Sequence, residues 1–363
     1  ATPEAQEIQA AIDFLEARPD TANDEVISTL GSNRAILDSI ENMDENRLRA
    51  AKEAPVGAAP DRTTFTLERF EAPRGASARS LRLEQRLKEN PEATKEFVAL
   101  ARDGEEVGRQ WYNTEELRSR MVDELGEEVG DQAWREYMWL VGATSTGNKV
   151  PSNIRVGSHY FTIGRKELKA ISEELLAGDY KPPVGYGHKM QRHHSANVGK
   201  YITGQWDETG DPALNPKPRG FAQSLTGGQS NIAADLHFTR LMGMVSEDPA
   251  FLHGSADIGA EFRDQLRAKF GKKIDAFINK RDVGGKAVYS LNAMKAVKSG
   301  PKGVFEFIKD NPIVWSDMPK ANEYKFFEDM ANEMARELGM TGPQFQAALW
   351  MGAGKRTGVA PES

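Results

Sequence analysis

The sequence contains no cysteine. That excludes disulfides, zinc–thiolate sites and cysteine-ligated iron–sulfur clusters, and leaves the redox compartment open. Long apolar runs are missing as well, so no stretch approaches the length of a membrane span. Alternating strand patterns are scarce and short, with "SHYFTI" (158–163) the best of them. Neither an internal repeat nor a low-complexity tract emerges. The first residues carry no secretory pattern, and Ala1 in place of Met is expected from initiator removal or from excision out of a longer polypeptide.

What remains suits a soluble helical protein. Hydrophobic residues make up 39% and charged residues 28% of 363 positions, enough for two compact domains or one large domain with appendages. The expected location is cytoplasmic (the host cytoplasm, or the virion if the chain is phage-encoded), with no membrane partner. The net charge of −7 hides an asymmetry. Residues 1–50 carry eleven Asp/Glu against four Arg, whereas residues 261–302 carry eleven Lys/Arg against four Asp/Glu. A low overall pI therefore does not argue against nucleic acid as a partner.

Apolar periodicity predicts an all-α fold with four parts. Residues 1–53 read as an acidic helical extension, with Ile8, Ile12, Phe14 and Leu15 near one face and Val26, Leu30, Ile36, Leu37 and Ile40 on the next. Such a hairpin would pack on the main body or on a protein partner. Residues 54–75, rich in Ala, Pro and Gly, read as a linker. The body spans 76–352, and 353–363 form a tail. "NPEATKEFVALARDG" has Pro just inside a helix start and Gly just past its end. "DQAWREYMWLVGATSTGNKVPSNIR" is a strongly apolar helix running into a small polar turn, and "RKELKAISEELLAGDYKPP" is an amphipathic helix ended by Gly178. Residues 181–217 lose the periodicity and read as a long loop, a kind usually functional or disordered. "RDQLRAKFGKKIDAFINKRDVGGK" reads as an amphipathic helix pair with Leu266, Phe270, Ile274, Phe277 and Ile278 inward. Its cations would be either a solvated face or a phosphate-contacting one.

The stretch "NPKPRGFAQSLTGGQSNIAADLHFTR" (215–240) holds the candidate chemistry. Pro216 and Pro218 bracket Lys217 and pre-set a first helical turn. Phe221, Ala222 and Leu225 form that helix's buried face, and Gly227 and Gly228 end it. A short apolar passage leads to Asp235, a favoured N-cap, where backbone N–H groups and the helix dipole stabilise a carboxylate by about 0.5–2 kcal/mol. On residue statistics alone, an N-cap Asp is structural.

The spacing resembles that of the helix-hairpin-helix DNA glycosylase superfamily. There a Lys opens the second helix of the hairpin, and the catalytic Asp follows after the same interval in a "V-D-T-H-x-x-R" setting. Here the match is Lys217 and then Ala234, Asp235, His237 and Arg240, with the Arg one position further on. The family's "L-P-G-V-G" before the lysine is replaced by "ALNPKPRG". "WREYMWLVGATSTGNKVPSN" is similar to the family's early helix and small polar turn, which places Ser145 and Thr146 nearest a wedge into the DNA gap.

The resemblance implies base flipping followed by cleavage of the N-glycosidic bond of a modified or damaged base, with no cofactor. Asp235 would stabilise an oxocarbenium-like sugar or activate the nucleophile, and Lys217 could attack the anomeric carbon and form a Schiff base. Tyr186, Tyr201 and Trp206 would sandwich the flipped base beside His237. Lys189, Arg192, Lys200, Arg219, Arg240, Lys272 and Lys273 would contact the DNA backbone. The alternative is a non-catalytic nucleic-acid-associated or virion structural protein with the same fold. His188, His193 and His194 lack the i, i+4 spacing of helical metal ligands, and no metal is expected. Glu328, Asp329, Glu333 and Glu337 stand beside Lys325 and Arg336, and read as salt-bridged surface.

Overall fold

A computed structural model describes residues 67, 70–148, 150–182, 191–206, 216–315, 319 and 321–354. The acidic segment 1–53, most of the linker, Tyr186, His188, Lys189 and the last nine residues lie outside the described residues. The protein is mainly helical, as the periodicity predicts, with one small sheet among the described residues. No helix among the described residues is long and apolar enough to cross a membrane. The chain divides into two compact units: Gln110–Ala233 forms an inserted unit, and the chain on either side of it (67–109 and 234–354) forms a framing unit.

The framing unit begins with α1 (Ala78–Glu89), whose N-cap Ser77 accepts from Ser80 N. Its neighbour α2 (Pro91–Asp103) has Asn90 as N-cap, Pro91 in its first turn and Gly104 at its end, the predicted pattern. A short α3 (Glu105–Gln110) follows. Burial acts against the Glu105 carboxylate, but hydrogen bonds from Arg102 and Arg109 outweigh it and hold its pKa below the ordinary value.

The inserted unit contains α4 (Glu115–Leu125), α5 (Glu127–Ala143), α6 (Val150–Ile163), α7 (Arg165–Ala170), α8 (Ser172–Ala177), α9 (Arg192–Ile202) and α10 (Pro216–Leu225). Its centre is α5, which is apolar on more than one side and therefore buried. Trp134, Tyr137 and Met138 join Leu117, Met121 and Leu225 in one cluster. Trp139, Leu140 and Ala143 join Tyr160, Val198 and Trp206 in another. Gly142 lets α10 approach closely, since a Cβ there would stand 2.5 Å from that of Ala222. The buried Thr114 hydroxyl donates to Leu225 O at 2.6 Å and accepts from Trp134 Nε1 at 3.1 Å, tying the end of α10 to the start of α4.

After the insertion the framing unit resumes with α11 (Leu236–Ser246), β1 (Ala256–Ile258), α12 (Ala260–Phe270), a 3-10 turn (Gly271–Phe277), β2 (Ile278–Val283) and β3 (Lys286–Leu291). Then come α13 (Ala293–Ser299), α14 (Val304–Ile308), α15 (Ala321–Glu337) and α16 (Gly342–Ala353). The two sequence-distant halves meet where α2 and its C-cap pack on α16. A Cβ on Gly104 would fall 2.1 Å from Ala348 O, and one on Gly352 would fall 2.0 Å from Leu100 O. The buried Glu323 of α15 accepts from Ser77 Oγ at 2.8 Å and from Arg79 Nε at 2.9 Å, which fixes the head of α1. Phe326 and Phe327 of α15 are fully buried, with Phe327 set against Phe238 and Phe251.

Four expectations are corrected. "SHYFTI" is not a strand but the end of α6, where Tyr160 is fully buried. "RKELKAISEELLAG" is not one helix, because α7 stops at Ala170 and α8 restarts after Ile171. Residues 181–217 are not all loop. They contain α9, whose Gly199 lies against Leu175 and Leu176 closely enough to exclude a Cβ. Finally, the second half of the supposed basic helix pair is an antiparallel hairpin, β2 with β3. Gly284 and Gly285 have φ of 59° and 78°, the positive values that a two-residue type I′ turn demands.

Candidate functional site

Lys217 lies in the first turn of α10, half-buried, in the inserted unit. The helix beneath it is held firmly. Pro218 and Gly220 are buried, Ala222 meets Gly142, and the Ser224 hydroxyl stands 2.7 Å from Gly220 O and 2.9 Å from Asn231 O. Arg219 is 9% exposed, so the expected phosphate contact through it is replaced by a buried guanidinium. Beyond Leu225 the chain turns through Gly227 at φ 87° and passes Ile232 and Ala233, both buried, before it returns to the framing unit.

Asp235 is the first charged residue after that return. Its predicted N-cap role is present: φ −127° and ψ −170° are extended, and Oδ1 accepts from His237 N at 2.9 Å and Phe238 N at 3.0 Å. Ala234 N donates to the Tyr324 hydroxyl at 2.9 Å, which pins the approach to the cap from α15. Further along, Gly243 admits Phe251 and Trp315, where a Cβ would sit 2.5 Å from the Cβ of Phe251. The head of α11 faces Gln346, Leu349 and Trp350 of α16 across a cavity of about 10 Å³. That is room for about one water, far short of a nucleobase. Asp235 and His237 both line it, together with the apolar side chains of Phe238, Leu241 and Leu349.

The small polar turn after α5 is gripped from within its own unit. Thr144 Oγ donates to Asn153 Oδ1 at 2.8 Å, and Asn197 Nδ2 donates to Ala143 O at 3.0 Å. Thr146 O receives both His193 Nε2 at 3.0 Å and His194 Nε2 at 2.7 Å. A carbonyl only accepts, so both rings carry a proton on Nε2. His194 Nδ1 then accepts from Gln191 N at 3.4 Å. Burial pushes the His194 pKa down, the charge of His193 adds to that, and the bond to Thr146 opposes it. Ser145, expected near a wedge, is 7% exposed, and its hydroxyl has no hydrogen-bond partner among the described residues. The turn is small and polar because it packs beneath α9.

The expected base sandwich is also corrected. Tyr201 belongs to α9, and Trp206 is 1% exposed. Both pack on Trp139, Tyr201 stacked at 5.6 Å and Trp206 edge-on at 5.3 Å. These are core contacts, and their rings are not presented to a ligand. Among the expected backbone-contacting cations, Arg192 is exposed and paired with Asp179 at 3.0 Å. Lys200 and Arg240 are half-buried, and Lys272 and Lys273 are exposed. Lys325 and Arg336 pair with Asp329 and Glu333, as the sequence predicts for the acidic face of α15.

Sequence reasoning passed over a second polar group in the inserted unit, with Tyr160 and Ser195 buried and His159 and Tyr180 half-buried. His159 Nε2 lies 2.9 Å from the Tyr180 hydroxyl, and the Tyr160 hydroxyl lies 2.8 Å from Ser195 Oγ. The three rings pack at 5.6–6.0 Å. Burial lowers the His159 pKa to about 4 and raises that of Tyr180 to about 12, the latter with help from Glu174. An alternating reading of "SHYFTI" hid this, because it set His159 and Tyr160 on opposite faces of a strand. No family model, curated protein or solved structure matches this chain, so the residues themselves carry whatever is inferred from it.

Proposed function

We propose that the chain is a DNA-acting, glycosylase-like protein that flips a modified or damaged base and cleaves its N-glycosidic bond. The observation that carries this reading is the setting of Asp235. Two backbone amides orient its carboxylate at the edge of a cavity with room for about one water, beside His237. A carboxylate in that position suits general-base activation of a water, or stabilisation of positive charge developing on the sugar. Lys217 supplies the amine that a Schiff-base branch requires.

The test is excision from duplexes that carry a panel of modified bases, with strand nicking and borohydride trapping as readouts. Asp235→Asn is expected to lower excision about 100-fold or more. Lys217→Gln is expected to abolish the trapped adduct while sparing simple excision. Full excision by Asp235→Asn would remove the carboxylate from the scheme.

A second reading, a non-catalytic nucleic-acid-associated protein, is favoured by the enclosure of Tyr201 and Trp206 in the core. Wild-type protein that binds DNA and excises nothing from the panel would select it.

A further inference from the structure

In the segment from β1 to α14 the half-buried rings of Phe262 and Phe270 pack on Phe307, with Arg263 set 4.1 Å over the ring of Tyr289. Its two kinds of cation are treated differently. All three arginines are matched to carboxylates, each at 2.6 Å: Arg263 with Asp264, Arg267 with Asp275 and Arg281 with Asp257. The lysines are not matched. Lys269, Lys272 and Lys273 at the end of α12 and in the 3-10 turn are exposed, with no carboxylate partner among the described residues. The same holds for Lys280 and Lys286 on the hairpin and for Lys295 and Lys298 on α13.

The hairpin is as unusual as the charge. β1 pairs with β3 only as far as Ile258↔Tyr289. Beyond it, the pairs Arg281↔Val288, Asp282↔Ala287 and Val283↔Lys286 continue as a two-stranded ribbon. Every residue from Lys280 to Ala287 is exposed, and Val283, beside the tip, is 55% exposed. Three pairs extend roughly 10 Å past the third strand. The major groove of B-form DNA is about 8.5 Å deep and admits a two-stranded ribbon. Burial alone does not account for a hairpin with both faces in solvent, because such a hairpin is marginal by itself.

We infer that this lysine-rich module is a duplex-DNA holding surface, with the β2–β3 ribbon entering the major groove and the flanking lysines on phosphates. Lys280 shares a face with Tyr289, while Arg281, Val283 and Lys286 lie on the other, so the ribbon offers cations on both sides. The paired arginines set the module's shape, and the unmatched lysines meet the polyanion. The surface is independent of any reaction at Asp235 and holds DNA whether or not that site cuts.

The test is fluorescence anisotropy of a labelled mixed-sequence duplex with the full chain across a salt series. Each phosphate neutralised contributes about −0.9 to the log–log slope. The variants Lys272→Ala with Lys273→Ala, and Lys280→Ala with Lys286→Ala, should each flatten the slope by about two, uniformly across sequences. Lys280→Arg with Lys286→Arg should bind as wild type does, and so should Lys325→Ala, which removes a lysine already paired to Asp329. An unchanged slope in both alanine pairs overturns the proposal. Equal affinity for a single strand of the same length overturns the ribbon-in-groove assignment. Displacement by polyglutamate at matched charge reassigns the surface to an acidic protein. Excision assays on the same variants separate this surface from the proposed chemistry.

Discussion

Two regions of this molecule handle polar chemistry in opposite ways. In the inserted unit, several polar groups are drawn inward and paired within the unit: Thr114 serves Trp134 and Leu225, His159 meets Tyr180, and His194 meets Thr146. In the lysine module of the framing unit, the lysines are exposed and have no carboxylate partner among the described residues. An internally satisfied network sets a unique packing, because any missing partner leaves a buried group desolvated. An exposed run of like charge contributes nothing to packing, and its self-repulsion is relieved by something outside the chain. The first region is therefore expected to govern stability and the second association.

Three measurements would break or sharpen that contrast. The largest effect is expected from Thr114→Val, which leaves Trp134 Nε1 and Leu225 O without their buried partner. A loss of about 1–3 kcal/mol should appear in urea unfolding, and a neutral result would mean that the network is not holding the unit. Next comes pH. The folded pKa of His159 is lowered from 6.5 to about 4 by burial, so the unfolded chain binds the proton first. Its contribution to stability is complete above about pH 6.5 and is lost as the pH falls towards 4. His194, shifted in the same direction, adds to that loss. His159→Phe should flatten the pH dependence through this window, as read by unfolding on either side of it. The smallest effect is expected from Lys272→Ala with Lys273→Ala, which should change stability by less than about 0.5 kcal/mol. A larger change would show that these lysines have a structural role and would close the gap between the two regions.

Much of the fold could be read from residue order, for identifiable reasons. Pro91 and Gly104 bracket α2. The N-cap role of Asp235 follows from a side chain that bonds its own helix, and α5 was evident from its concentration of Trp, Tyr and Met. What escaped reading depended on distant partners. The segment that forms α9, "RHHSANVGKYI", has weak helical propensity and is stabilised by the fit of Gly199 on Leu175 and Leu176. Residues Lys280 to Ala287 show no burial alternation because both faces meet solvent, so period two was invisible there. The Gly284–Gly285 pair was the available signal for the hairpin, since two glycines between strand-length runs favour a type I′ turn. At the candidate site, Lys217 and Asp235 were found at helix openings as expected. Tyr201 and Trp206 were misread because aromatic residues in an aperiodic stretch look the same whether they face a ligand or a core.

The contact of α2 with α16 also governs the order in which the protein can be made. The backbones of Gly104 and Ala348 approach closely, yet the whole inserted unit is translated between them. A growing chain therefore possesses every residue of Gln110–Ala233 well before α16 exists to cover the small-residue surface of α2. The inserted unit can therefore begin to pack on the ribosome while the framing unit still lacks its last helix.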